Sequence, residues 1–248
     1  LPSQVNGWRK ILSGGDDETL LSRMPDGRTI EPLTGVGRHP FSRTGCRIPT
    51  KSTSIFDISY IRVPSVCHVA ADERPRVMLF DMGCADYESK VVRKATGGGA
   101  SLPLFENMYE SACYAIGRMW GWEVKKKNLK TWWQNVPNDT RKKLTFNNNP
   151  VSPSEFEATL VASVRPQDYV VVKLDIDTIV IEAAILGIIE KHATLVDELF
   201  YEYHIYYDGL DFGWHNKKGE HRTTRNVTTS VRHMQRLRKK GIRAHFWV

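Results

Sequence analysis

From residue 76 to the end of the chain, apolar runs of strand length alternate with segments of helical spacing. VMLF (77–80) is a short unbroken apolar run of the kind buried on both faces of a parallel sheet. Residues 101–119 carry Leu104, Met108, Cys113, Ile116 and Met119 at helical spacing, with Ser101 placed as an N-cap, and predict a helix. MWGWEV (119–124) follows as a strand. SPSEFEATLVASV (152–164) predicts a second helix, with Ser154 as its cap, Glu157 three residues on, and Phe156, Leu160 and Val164 along one face. DYVVVKLDI (168–176) is the strongest strand pattern, TIVIEAAILGIIEKH (178–192) an apolar helix, and LVDELFYEYHIYY (195–207) another strand. Residues 227–240 place Val227, Val231, Met234 and Leu237 on one helix face. Gly241 ends that helix, and IRAHFWV closes the chain as a strand.

Strand and helix in repeated alternation predict an α/β fold, a mostly parallel sheet with helices on both faces and a final edge strand. This domain spans residues 71–248. Residues 1–70 read differently: GGDDE, MPDGRT, GVGRHPFSRTG and IPTKSTS are turn-rich, and predict an irregular N-terminal extension packed on the main domain. In open sheets of this kind ligands bind beyond the carboxyl ends of the strands.

Those ends carry acids. The first strand leads into Asp81-Met82-Gly83 and the second into Glu123. The third ends Lys173-Leu174-Asp175-Ile176-Asp177, and the fourth contains Glu202-Tyr203-His204. A glycine just past a strand lets backbone approach a ligand, and an acid after the next strand can accept from ribose hydroxyls. The acid stands 42 residues after Asp81. Dinucleotide-binding folds place it about 20 residues on, so a nicotinamide dinucleotide is disfavoured. TGGGAS (96–101) occupies part of the excess, and its glycines lead into a helix whose N-terminus suits a carboxylate or serve simply as a loop.

These segments carry a resemblance. VMLFDMGC resembles the first glycine motif of the class I S-adenosylmethionine-dependent methyltransferases, and GWEV their acid-ended second strand. YVVVKLDIDTIVIEAAILG is similar to the Lys-x-Asp-x-(acid) segment of the FkbM-like sugar and polyketide O-methyltransferases, of the kind found in algae and large algal viruses and sometimes joined to glycosyltransferases. The resemblance covers residues 76–248. It implies a Rossmann-like domain binding S-adenosyl-L-methionine through Asp81, Gly83 and Glu123, with Trp122 walling the adenine pocket. The first motif has one glycine where the family has two or three, and Thr178 follows Asp177 where the family has glycine.

Methyl transfer to a sugar hydroxyl needs a base, or a divalent metal to lower the hydroxyl pKa. By strand alternation Asp175 and Asp177 share a side, as do Glu202 and His204. If the two strands are neighbours, Asp175, Asp177, Glu202 and His204 converge, a donor set suited to Mg²⁺ or Mn²⁺. Without metal, His204 is the first choice of base, with Asp175 and Asp177 beside it. Trp214 is the candidate stacking surface for a sugar, and Glu202 a substrate-pocket residue. Simpler roles stand beside these: Asp175 paired with Lys173 or capping the next helix, His204 as a hydrogen-bonded core residue, and His245 as structural.

Composition adds less. With 41% apolar and 25% charged residues a packed core is expected. No apolar run approaches the roughly 20 residues of a membrane span. The chain begins at Leu1, which suggests a piece of a larger multi-domain or membrane-anchored protein. Residues 215–243 hold ten Lys/Arg against Glu220 alone; with the chain at +7, the remainder sums to −2. That segment suits an anionic partner or a solvated helix face. The four cysteines form no CxxC pair, which argues against a zinc knuckle, and are enough for two disulfides without fixing a pairing. Sequons at Asn138-Asp139-Thr140 and Asn226-Val227-Thr228 point to the secretory pathway, with the Golgi lumen ahead of the cytoplasm.

The leading expectation is therefore an O-methyltransferase acting on a sugar or glycoconjugate. One alternative is a metal-dependent glycosyltransferase using Asp175 and Asp177 as a DxD-type motif, which leaves Gly83 and Glu123 without a role. The other is a nucleic-acid-binding module on the basic segment, disfavoured because residues 227–240 turn one face to the core.

Overall fold

The computed structural model describes residues 22–31, 33, 61, 63–87, 100–203 and 227–247. A mostly parallel α/β sheet of six strands forms the fold, which is Rossmann-like. Its strands are β3 (Arg76–Met82), β4 (Ala115–Trp122), β5 (Leu144–Asn147), β6 (Tyr169–Leu174), β7 (Glu198–Tyr201) and β8 (Arg243–Phe246), in the order β5-β4-β3-β6-β7-β8. A two-stranded sheet, β1 (Ser22–Arg23) with β2 (Thr29–Ile30), is separate. The helices are α1 (Ser101–Ser111), α2 (Leu129–Gln134), α3 (Asn138–Lys143), α4 (Pro153–Ser163), α5 (Ile179–Lys191) and α6 (Val227–Lys239). Packing divides the chain into two compact units, residues 63–200 and residues 1–62 with 201–248.

In the first unit β3 lies between β4 and β6, parallel to both, and β4 is parallel to β5. Residues 77–82 of β3 and all six residues of β6 are buried, which is why both read as near-continuous apolar runs. Alternation along β3 puts helices on both faces. Phe80 stacks on its register neighbour Trp120 at 4.6 Å and meets Phe156 of α4 edge-on at 5.8 Å. The next residue, Asp81, points to the other face and meets Ser101 at the start of α1. Each large side chain buried in this way contributes roughly 1.5–3 kcal/mol.

Several boundaries differ from expectation. The first helix stops at Ser111, because Cys113 turns left-handed at φ +68° and β4 begins at Ala115. Ile116 and Met119 are therefore strand residues. Ser101 is the first helical residue rather than the cap; Ala100 caps α1 without a side-chain bond. The cap of α4 is Ser152, not Ser154: its Oγ accepts from the Glu155 N–H at 3.1 Å, and Pro153 follows as the first helical residue. β7 ends at Tyr201, and residues 204–207 of the expected strand lie outside the described residues. The short elements α2, α3 and β5 have too few turns to show a period. Asn128 caps α2 through its side chain at 3.2 Å, and Trp132 stacks on Phe146 of β5 at 3.7 Å. Cys67 and Cys113 form a disulfide, Cys84 is free and buried, and Cys46 lies outside the described residues.

In the second unit the β1–β2 hairpin turns at Gly27, φ +85°, and is tied to the C-terminal helix and strand. Arg238 of α6 donates to the Glu31 carbonyl at 2.7 Å and to the Ala244 carbonyl at 2.9 Å, and its guanidinium lies 3.1 Å from Glu31 Oε1. His245 Nδ1 is 2.6 Å from the same oxygen, and Arg243 donates to Thr29 at 3.0 Å. Burial works against ionising Glu31, but His245 and Arg238 outweigh it and hold its carboxyl below the usual range. Gly241, φ +94°, ends α6 as expected, and His245 is structural.

Candidate functional site

Three neighbouring strands, β4, β3 and β6, bring their carboxyl ends to one edge of the sheet. β3 leads into a turn at Gly83, whose φ of +85° is a left-handed conformation that L side chains rarely adopt. Space imposes the same choice: a Cβ on Gly83 would stand 1.8 Å from the backbone oxygen of Asp175. The N–H groups of Gly83 and Cys84 donate to the Trp122 carbonyl at 2.9 and 3.1 Å. On the other side the Asp175 N–H donates to the Met82 carbonyl at 3.2 Å.

Lys173 holds the turn from within the sheet. Its side chain is buried, and its ammonium donates to the Gly83 carbonyl at 2.6 Å. The same nitrogen lies 2.9 Å from Asp175 Oδ2 and 3.5 Å from Asp81 Oδ1. Burial works to lower the Lys173 pKa, yet Asp175 and then Asp81 outweigh it and hold the ammonium charged well above its ordinary range. Asp175, the closer carboxylate, is the main partner.

Asp81 is fully buried. Its Oδ2 accepts from Ser101 Oγ at 2.5 Å, and among the described residues its Oδ1 has no hydrogen bond, only the more distant ammonium. Burial pushes its carboxyl above the usual range against the pull of Lys173. Asp81 thus joins β3 to α1 and supports Lys173, and it presents no surface to a ligand. Cys84 is likewise inert: burial pushes its thiol well above its ordinary value.

Glu123, one residue past β4, is also buried but keeps 7% exposure where Asp81 has none. Its Oε1 accepts from the Lys125 N–H at 2.7 Å, and its Oε2 takes no hydrogen bond among the described residues. Asn148, just past β5, fixes the surrounding loop. Its Nδ2 donates to the carbonyls of Glu123 and Lys125 at 2.7 and 2.9 Å, and its Oδ1 accepts from the Lys127 N–H at 2.8 Å. The segment after Gly83 is anchored to the same region. Trp132 Nε1 donates to Ala85, Lys127 pairs with Asp86 at 3.1 Å, and the Tyr87 hydroxyl donates to Glu106 at 2.7 Å.

Of the residues singled out in the sequence, Gly83 and Glu123 come together through the Trp122 carbonyl between them. Trp122 itself is buried on the α4 side, opposite to Glu123 by strand alternation, and its Nε1 donates to Glu155 at 3.0 Å. Asp175 is half-buried and pairs with Lys173; Asp177 is exposed with φ +56°. The Lys173 ammonium puts a like charge beside any divalent cation held by Asp175. Glu202 is buried and belongs to the second unit, whereas His204, Trp214 and glycines 97–99 lie outside the described residues. In the basic segment Arg238 and Arg243 are buried and committed to the hairpin rather than presented to phosphates.

Sequence reasoning missed Lys173 as the clamp, Asn148 as the staple and Ser101 as the partner of Asp81. A lysine inside a buried strand and an asparagine run directly after one were the available signals. No family model, curated protein or solved structure matches the chain.

Proposed function

We propose that the protein is an S-adenosylmethionine-dependent O-methyltransferase acting on a hydroxyl of a sugar or glycoconjugate. The observation that supports it most is Glu123. Its carboxylate is fixed by one oxygen, with the other uncommitted among the described residues, at the carboxyl edge of the strand next to the Gly83 turn. An acid so placed accepts from the two hydroxyls of a ribose. Gly83 permits the left-handed turn and the close approach of the Asp175 backbone, and Lys173 holds that turn rigid.

When bound, S-adenosylmethionine supplies a methyl group already activated on its sulfonium. The protein's task is then alignment, and removal of the acceptor proton as the oxygen attacks. Glu123 orients the donor by its ribose in this reading. His204 is the base that the sequence offers, and Trp214 the stacking surface for the acceptor ring. The tie between Asp175 and Lys173 weighs against a nucleotide-diphosphate site built on Asp175 and Asp177.

The test is turnover of methyl-labelled S-adenosylmethionine with a panel of glycans, read as S-adenosylhomocysteine release and label in the sugar. Transfer that falls about tenfold or more in Glu123→Ala supports the assignment, the size expected when hydrogen bonds to a charged group are lost. Transfer indifferent to that change contradicts it.

A further inference from the structure

We propose that Asn138 carries an N-linked glycan, added while the chain passes through an oxidising compartment. Two independent observations meet on the 63–200 unit. The first is the disulfide between Cys67 and Cys113, whose Cα atoms are 4.9 Å apart across 46 residues of sequence. Cys67 is exposed, so soluble reductants reach the bond, and a cross-link in that position persists where the surroundings are oxidising. Cys84 stays reduced by burial.

The second is the sequon Asn138-Asp139-Thr140, with no proline at its middle position. Asn138 opens α3. Its side chain is exposed and makes no hydrogen bond among the described residues, so a bulky substituent displaces nothing. Thr140 is the opposite. It is buried, and its Oγ1 donates to Glu106 at 2.8 Å, under Tyr87. The sequon hydroxyl is therefore within reach of a transferase only before α3 packs, which places the modification on the nascent chain.

The chemistry is glycosyl transfer from a lipid-linked oligosaccharide diphosphate. The Asn138 amide nitrogen attacks the anomeric carbon and forms the N–C bond. The bond from that carbon to the diphosphate oxygen breaks, the lipid diphosphate leaves, and the amide nitrogen gives up one proton. No redox change accompanies the step. After folding the glycan projects from the exposed start of α3 while Thr140 keeps its bond to Glu106. This proposal is independent of the methyltransferase reading.

The experiment is peptide mapping of the protein isolated from its native source, without reduction, before and after peptide N-glycosidase in heavy-oxygen water. The expected result is a glycopeptide containing Asn138 that converts to heavy-labelled aspartate, together with a Cys67–Cys113 cross-linked peptide. In the full chain produced through a eukaryotic secretory pathway, Asn138→Gln loses one glycan mass with an unchanged melting temperature, and Thr140→Ser keeps the glycan. Asn138 recovered unmodified overturns the proposal, as does recovery of Cys67 and Cys113 as free thiols. The Asn226 sequon yields a separate peptide and does not confuse the reading.

Discussion

Lys173 donates to the carbonyl of Gly83 at 2.6 Å, and through this bond the end of β6 holds the turn that follows β3. The ammonium also neutralises Asp175, with Asp81 behind it. Removing it leaves two carboxylates close together, one of them fully buried. Breaking a buried pair in this way costs about 3–5 kcal/mol. Lys173→Met is expected to lose that much in urea unfolding, and Lys173→Met/Asp175→Asn to recover part of it. A loss below about 1 kcal/mol would mean that the clamp contributes little.

Two left-handed glycines separate backbone conformation from close packing. Gly27 has φ +85° with nothing among the described residues within 4 Å of its missing Cβ, whereas Gly83 has the same φ with the Asp175 carbonyl in the way. Gly27→Ala is expected to cost on the order of 1–2 kcal/mol, the left-handed penalty alone. Gly83→Ala costs more, because backbone must shift as well. Equal losses in chemical denaturation would remove the close approach of Gly83 and Asp175 as a constraint.

The disulfide stabilises by restricting the unfolded chain. For a closed loop of this size the stabilisation is about 2–4 kcal/mol. Cys67→Ser/Cys113→Ser is expected to lower the melting temperature of non-reduced protein, and dithiothreitol to do the same to wild type but not to the double variant. Insensitivity of wild type to the reductant contradicts this.

Acid sensitivity centres on Glu31. Its carboxyl titrates below its usual value of 4.5 in the folded state, facing Arg238 and His245. The unfolded chain therefore takes up a proton near that value that the folded chain refuses. The Glu31 contribution is fully present above about pH 4.5 and is lost as pH falls through the folded pKa. Glu31→Gln is expected to be less stable at pH 7, since Arg238 loses its counter-charge and His245 its carboxylate partner, and to show a shallower decline as pH falls below about 4.5. An unchanged acid limb would assign the sensitivity elsewhere.

The parallel sheet was legible because β3 and β6 are buried on both faces and leave continuous apolar runs, and because Gly241 marks the end of α6. The end of α1 was not. Cys113, Ile116 and Met119 keep helical spacing by coincidence, and the chain instead reverses at Cys113, where the disulfide to Cys67 is formed. α2 and α3, of six residues each, complete too few turns for periodicity to register, and local capping by Asn128 decides the first of them. In the site, Gly83 and Glu123 were readable by position alone. The pairing of Lys173 with Asp175 was readable too, but the bond of its ammonium to the Gly83 carbonyl was not, since it joins two strands far apart in the chain. Asp81 looked like a ligand contact from its place in the motif, yet strand alternation and the hydroxyl of Ser101 turn it inward.

The most direct measurement is calorimetric titration of S-adenosylmethionine and S-adenosylhomocysteine into wild type and Glu123→Ala, with the fold of each confirmed by thermal melting. The proposal predicts saturable binding of both ligands by wild type and a loss of about tenfold or more in the variant at unchanged melting temperature. Absence of binding to wild type, or equal binding by the two proteins, would contradict Glu123 as the ribose contact and with it the methyl-donor site.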